Sequence, residues 1–169
     1  MPRLVMTSDE YARIRRHLFL GETEQAAFAL AKPVGPTDGD LHVSSIHLVP
    51  NQDFIVQNEY HIEINPRAIE TMIKAAFDAS ASIVEFHSHR SRYPACFSLS
   101  DMRGFREVVP HVRWRLGARP YVAVVHHDNS LDALVWSGDG EDPQQLGAVL
   151  AGTASLHPTG RTLTQPPPL

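Results

Sequence analysis

Cysteine, long apolar runs and excess charge are all scarce in this sequence, and each scarcity closes off a class of protein. The one cysteine, Cys96, excludes an intrachain disulfide and any Cys-x-x-Cys zinc site, that of the zinc nucleobase deaminases included. No stretch of about eighteen apolar residues is present to span a bilayer. The N-terminal MPRLVMTSDEYARIRRHLFL carries charges throughout, which is not the pattern of a signal peptide. A formal net charge of -4 gives no basis for nucleic acid as the main partner. What is present is an ordinary globular composition, 43% hydrophobic and 20% charged over 169 residues, enough for one domain with a sizeable core. These points lead to the expectation of a cytoplasmic protein with no membrane attachment, and there is no internal repeat.

Local signals then mark the elements. Thr7-Ser8-Asp9-Glu10 reads as a capping box that opens a helix with Tyr11, Ile14 and Leu18 on one face, and Gly21 breaks it. Gln25–Ala31 (QAAFALA) fits a buried strand, although periodicity alone does not separate it from helix. Residues 32–40 have loop chemistry, Leu41–Val49 an irregular strand pattern, and Phe54–Ile64 alternates as a further strand. Asn65-Pro66 caps a helix to Ser80 whose Ile69, Met72, Ile73, Ala76 and Phe77 form a core-facing stripe. Ala81–His89 is a strand, and a loop rich in Arg and small residues leads to a second helix start at Ser98, limited by Pro110. Tyr121–His127 and Leu131–Trp136 are two strands joined by Asp128-Asn129-Ser130, and Asp142-Pro143 opens a short apolar helix. The interleaving predicts an α/β class, a mixed sheet flanked by helices. It is one domain over residues 1–151, with 152–169 a flexible, aperiodic tail.

The chemistry concentrates in two nearby motifs. His87-Ser88-His89 ends an apolar run, and residues two apart on a strand point to the same side, so both imidazoles can reach one ion. Alone, such a pair is as readily satisfied by backbone or water. Ser98-Leu99-Ser100-Asp101 follows, and on the first turn of a helix Ser98 and Asp101 share a face. Asp101 is thus a candidate third ligand, and three protein ligands with one open position define a catalytic zinc site. Ser-x-x-Asp is also close to a plain capping box, and the two roles are compatible because a capped helix is a rigid platform.

The stretch HSHRSRYPACFSLSD resembles the signature of the JAMM (JAB/MPN-type) zinc metallopeptidases: His-x-His, a loop, then Ser-x-x-Asp. In that family a glutamate stands upstream at the start of a strand, and Glu24-Gln25-Ala26-Ala27-Phe28-Ala29-Leu30-Ala31 resembles that strand, particularly in stand-alone prokaryotic members. The similarity runs from about Gly21 to Trp136. It implies a JAB/MPN-like, cytidine-deaminase-like architecture, with Zn2+ held by His87, His89 and Asp101. It further implies Glu24 as general base and acid and Ser98 beside the oxyanion. By the same resemblance the activity is deubiquitinase-like: peptide or isopeptide hydrolysis at the C-terminal tail of a ubiquitin-like or sulfur-carrier protein. E1-like or E2-like proteins are the implied partners. Where the family has proline after the second histidine, this chain has Arg90, with proline later at Pro94, which bears on the shape of the loop.

Several alternatives stay open on the residues. Glu22 and Glu85 share a strand face with Glu24 and His87 respectively, and either could serve as the base. A non-catalytic MPN-type scaffold is the alternative function, although such members typically lack the ligands found here. A metallo-β-lactamase pattern would want Asp-His soon after His89, where Arg90-Ser91-Arg92 stands. His126 and His127 are adjacent on a strand, point oppositely, and are set aside as ligands. Arg103, Arg106, Arg113, Arg115 and Arg119 read as a solvated face, Trp114 and Trp136 as packing residues, and Cys96 as an inert loop thiol.

Overall fold

A computed structural model describes residues 1–35 and 39–165 of the protein. In chain order the elements are β1 (Leu4–Met6), α1 (Ser8–Leu18), β2 (Ala26–Val34), β3 (Asp40–Leu48), a 3-10 turn, β4 (Phe54–Gln57), β5 (Ile62–Ile64), α2 (Pro66–Asp78) and β6 (Ser82–Ser88). There follow α3 (Leu99–Arg115), β7 (Tyr121–His126), β8 (Leu131–Trp136), β9 (Gln144–Gln145), β10 (Val149–Ala151), β11 (Ala154–Leu156) and α4 (Arg161–Thr164). The class is mixed α/β. Nine of the described strands form one sheet in the order β11-β10-β1-β3-β2-β6-β7-β8-β9, and β4 pairs with β5 as a separate hairpin. β1 runs parallel to β10 and to β3, and β6 parallel to β7; the remaining neighbours are antiparallel. Among the described residues no helix is long and apolar enough to cross a membrane.

The pleat sorts the core into two layers. On β2, Ala27, Ala29 and Ala31 face α1, whose Ile14 and Leu18 are fully buried against that side with Phe86. Small side chains there let the helix approach closely, and burying a residue of the size of Leu18 contributes roughly 1.5–3 kcal/mol. The opposite row, Ala26, Phe28 and Leu30, packs with Met72 and Ile73 of α2 and with Phe105, Val109 and Val112 of α3. On β6 the residues of this second face are Ile83, Glu85 and His87 in succession, so the strand that supplies core also delivers two polar groups at its end.

Local chemistry explains the helix starts. Thr7 and Glu10 exchange both capping-box hydrogen bonds, and the Asn65 side chain accepts from the Arg67 amide with Pro66 in the first turn. Several expectations fail for tertiary reasons. Residues 54–64 are a hairpin of two short strands turning at Asn58, whose side chain accepts from the amides of Tyr60 and His61. β2 continues to Val34 and β3 begins at Asp40, so the expected 32–40 loop is shorter; its residues 36–38 lie outside the described residues. α3 passes through Pro110, because Pro110 and Arg106 one turn earlier are both exposed and the carbonyl that loses its partner faces water. Phe77 and Trp114 are 61% and 78% exposed, whereas Trp136 is buried as expected.

The largest departure lies at the C-terminal end. The segment expected as a short apolar helix forms β9 and β10, because Val149–Ala151 pairs in parallel with Leu4–Met6. A Cβ at Gly147 would sit 3.2 Å from the Pro2 carbonyl oxygen, a tight contact, so glycine eases the close approach of the two segments there. Residues 152–165 are not a flexible tail. Ala154–Leu156 pairs with β10, and Thr162 of α4 is buried in a network with Asp132. The remaining tail residues, 166–169, lie outside the described residues.

His126, on the α1 side of β7, is fully buried beside Tyr11 and Phe86, and neither ring nitrogen has a hydrogen-bond partner among the described residues. Burial, reinforced by the charges of Arg15, His87 and His127, lowers its pKa to about 3. The unfolded chain, with a histidine near 6.5, therefore binds the extra proton between those values, and stability falls as pH drops through that window. At pH 5 the loss is about 2 kcal/mol. The measurement is denaturant unfolding from pH 7 to 4.5: His126→Leu should show a shallower acid slope than wild type, and equal slopes would overturn the assignment.

Candidate metal centre

His87, at the end of β6, His89, just beyond it, and Asp101, on the first turn of α3, meet on the side of the sheet that α2 and α3 cover. One ligand atom from each lies within 4.8 Å of the others, and the group can hold a metal ion. Both imidazoles turn Nε2 toward the same carboxylate oxygen: His89 Nε2 is 3.2 Å and His87 Nε2 is 3.4 Å from Asp101 Oδ2. The ring nitrogens of His87 are buried and have no hydrogen-bond partner among the described residues. One imidazole nitrogen from each histidine beside an anionic oxygen makes a donor set that suits a borderline ion such as zinc.

The α3 start fixes Asp101. Ser98 is the N-cap: its Oγ accepts from the Asp101 amide at 3.1 Å, and Asp101 Oδ2 accepts from the Ser98 amide at 2.8 Å. Capping and metal ligation would thus use one geometry. Burial works to raise the Asp101 pKa, but the neighbouring His87 and His89 outweigh it and hold the carboxyl well below its usual range. For His87 burial works to lower the pKa, and the charges of Asp101, Glu85 and Glu24 outweigh it and bring it to about 9.

Glu24 precedes β2 and is 4% exposed, with Oε1 3.9 Å from His89 Nε2. Its backbone is pinned to the β4–β5 hairpin, the amide donating to the Asn58 carbonyl and the Gln57 side chain donating to the Glu24 carbonyl. Burial raises its pKa; the charges of His89, His87 and His61 pull downward and that of Asp101 adds to the rise. Glu85 has a different neighbourhood. Its Oε2 accepts from Tyr121 at 2.5 Å and its Oε1 lies 3.8 Å from His87 Nδ1, on the side of the ring away from Asp101. Glu22 is exposed and lines a separate depression with His17 and Asn51, so the fold does not bring it to the centre.

Two contributors escape sequence reasoning. His127 Nε2 is 3.3 Å from His89 Nδ1, and its own Nδ1 is 2.8 Å from the Tyr93 carbonyl. It lies beside His89, outside the group that could hold a metal. The register that pairs Ser88 with His126 across β6 and β7 puts it there, and parallel register is not readable from spacing. Ser88, between the two histidines, donates to the Leu18 carbonyl and accepts from the Gln25 amide, which locks the His-x-His strand to the residue after Glu24. Arg90, directly after the second histidine, reaches the Gly21 carbonyl and lies over the Phe19 ring at 5.0 Å. It joins the exit of the His-x-His strand to the approach to Glu24.

A groove of about 500 Å3 opens at Asp101 and His87 and runs between the hairpin, α2 and α3, walled by Ile55, Ile62, Ile69, Phe105 and Val108. Cys96 is half-buried in the loop before Ser98, and burial raises the pKa of its thiol, in keeping with an inert cysteine.

No family model matches the chain, and no curated protein matches it. Among solved structures it is similar to the solution structure of protein DSY2949 from Desulfitobacterium hafniense, with a TM-score of 0.50 and 19% identity over 89% of this chain and 94% of that chain. At that identity the likeness is one of fold.

Proposed function

We propose that the protein is a zinc-dependent hydrolase of the JAMM type, a peptidase or isopeptidase acting at the C-terminal tail of a ubiquitin-like or sulfur-carrier protein. The observation that carries the reading is the convergence of His87, His89 and Asp101 on one point, with the buried carboxylate of Glu24 beside His89. The mixed sheet with α1 on one face and α2 and α3 on the other is compatible with the JAB/MPN-like architecture. The substrate class rests on the resemblance of the His87–Asp101 segment, and the apolar groove beside those ligands offers an extended chain a bed. Activation of such a substrate would fall to E1-like or E2-like partners in a cytoplasmic setting.

The residues suit the roles. His87, His89 and Asp101 would hold the ion, and zinc bound there supplies Lewis acidity, polarising a carbonyl and bringing the pKa of water toward neutrality. Glu24, its proton affinity raised by burial, takes a proton at its carboxylate and returns it to the leaving amine. The Ser98 hydroxyl spends a lone pair on the Asp101 amide and keeps its hydrogen to donate to an oxyanion. The α3 capping box holds that serine in place.

The test is to load purified protein with zinc and incubate it with ubiquitin-like proteins carrying a C-terminal peptide extension or an isopeptide-linked lysine. Mass spectrometry should show cleavage directly after the tail, abolished by a chelator. Zinc-loaded protein that leaves every such substrate intact would sink the substrate class. Folded protein that takes up no zinc would sink the enzyme reading.

A further inference from the structure

Residues 90–97, which carry the chain from His89 to the α3 start, make no backbone–backbone hydrogen bond among the described residues. Apart from a local contact between Ser91 and Tyr93 and the reach of Arg90 to the Gly21 carbonyl, the path of this loop is set by side chains from far along the chain. His127 meets the Tyr93 carbonyl, Ser130 accepts from the Ala95 amide at 2.8 Å, and Thr159 donates to the Ala95 carbonyl at 2.5 Å. The last and deepest of these ties is Thr162, whose Oγ1 accepts from the Phe97 amide at 3.0 Å.

Thr162 is itself held. Its hydroxyl donates to Asp132 Oδ2 at 2.6 Å and its amide donates to the same oxygen at 3.0 Å. Asp132 Oδ1 takes the amides of Ala133 and Gly160 and the side-chain amide of Gln145. A fully buried carboxylate is costly to desolvate, and five donors satisfy this one. The far end of the relay is just as constrained. The Phe97 ring is fully buried, 5.6 Å between centroids from the His87 imidazole and 5.4 Å from Phe105 of α3, and the next residue is Ser98, which caps the helix that presents Asp101.

We infer that Thr162, anchored by Asp132, is a positioning residue for the metal centre: its hydroxyl fixes the Phe97 amide and thereby the α3 start that carries Ser98 and Asp101. The inference rests on reading His87, His89 and Asp101 as metal ligands. It gives the C-terminal segment a part in the site that no ligand motif reveals. The loop has no ladder of its own, so the ligand-competent placement of Asp101 is one of several conformations open to it, and the Thr162 bond selects that one. Apparent metal affinity falls in proportion to the fraction of protein that holds the competent placement.

The experiment is a cobalt(II) titration of the full chain, followed by visible absorption, for wild type, Thr162→Val and Thr162→Ser, with a thermal melt of each metal-free protein. Thr162→Val keeps the shape and loses the hydroxyl; its cobalt Kd should rise about fivefold as the competent fraction falls to about one fifth. Thr162→Ser should restore it. A purely structural threonine would lower the melting temperature of Thr162→Val and leave cobalt affinity unchanged, and that result overturns the inference. Wild type that binds no cobalt overturns the metal reading and this inference with it. If Thr162→Val does not fold, wild type alone decides. By reciprocity of linkage, adding zinc should slow hydrogen exchange at the Phe97 amide more than at the Ala133 amide of β8, and equal slowing overturns the inference.

Discussion

Replacing Glu24 by glutamine should cost at least about a hundredfold in turnover while leaving zinc bound, the scale expected for losing a general acid–base. Glutamine matches the shape of the side chain, which is 4% exposed, and the fold holds the Glu24 backbone through Asn58 and Gln57, so the carboxylate can be neutralised without moving the chain. Burial already raises the proton affinity of Glu24, so a neutral amide leaves no unpaired charge behind and stability is preserved. Glu24 also stands outside the group that converges on the metal position, so zinc uptake persists. Turnover of a tail-extended ubiquitin-like substrate by zinc-loaded wild type and variant, with metal content measured on the same samples, gives the comparison. A variant with undiminished turnover would move the proton-transfer role to another group, with Glu85 first in line. Indifference of both proteins to every substrate would favour a scaffold.

The second large effect is on the metal itself. His89→Ala and Asp101→Ala should each weaken zinc binding more than about a hundredfold, since residues that merely support a ligand are worth about 10–100-fold. Thermal unfolding offers an independent readout. A ligand held at a hundred to a thousand times its Kd stabilises by about 3–4 kcal/mol, which for a domain of this size raises the melting temperature by roughly 6–16 °C. Chelation should therefore lower the melting temperature of wild type and shift both variants much less. The pH dependence has a fixed sign. Asp101, Glu85 and Glu24 together lift the His87 pKa to about 9 against the effect of burial, so in the metal-free protein a proton occupies the ligand through the neutral range. Zinc must displace it, and affinity should weaken as pH falls below about 9. An affinity flat from pH 9 to 6 would contradict the assignment of His87.

What could be read from the sequence was local. The capping boxes at Thr7 and Ser98, the Asn65-Pro66 start and the period-two strands depend on residues a few positions apart, and the structure contains them. The His87, His89 and Asp101 group that can hold a metal lies within fifteen residues and was legible for the same reason. The rest depends on partners brought together by tertiary structure. His127 reaches His89 through the register of two parallel strands. Thr162 reaches Phe97 across 65 positions. The aperiodic stretch after Gly152 has no hydrophobic pattern because it is held by polar bonds to Asp132 and by pairing with β10. Phe77 fits a helical stripe, but among the described residues nothing covers it and it stays 61% exposed.

The parallel pairing of β1 with β10 sets an order of assembly. It joins Leu4 to Val149 and Met6 to Ala151, contacts of very long sequence separation, and topologies of that kind fold slowly. During synthesis the strands that carry His87 and His89, and the helix that carries Asp101, leave the ribosome well before residues 149–151 and 159–162 exist. Until then β1 has β3 on one side and an unpaired edge on the other, a surface on which a second nascent chain could add. The residues that could hold a metal are therefore made early and their surroundings completed late, and the second edge of β1 is covered only by the last quarter of the sequence.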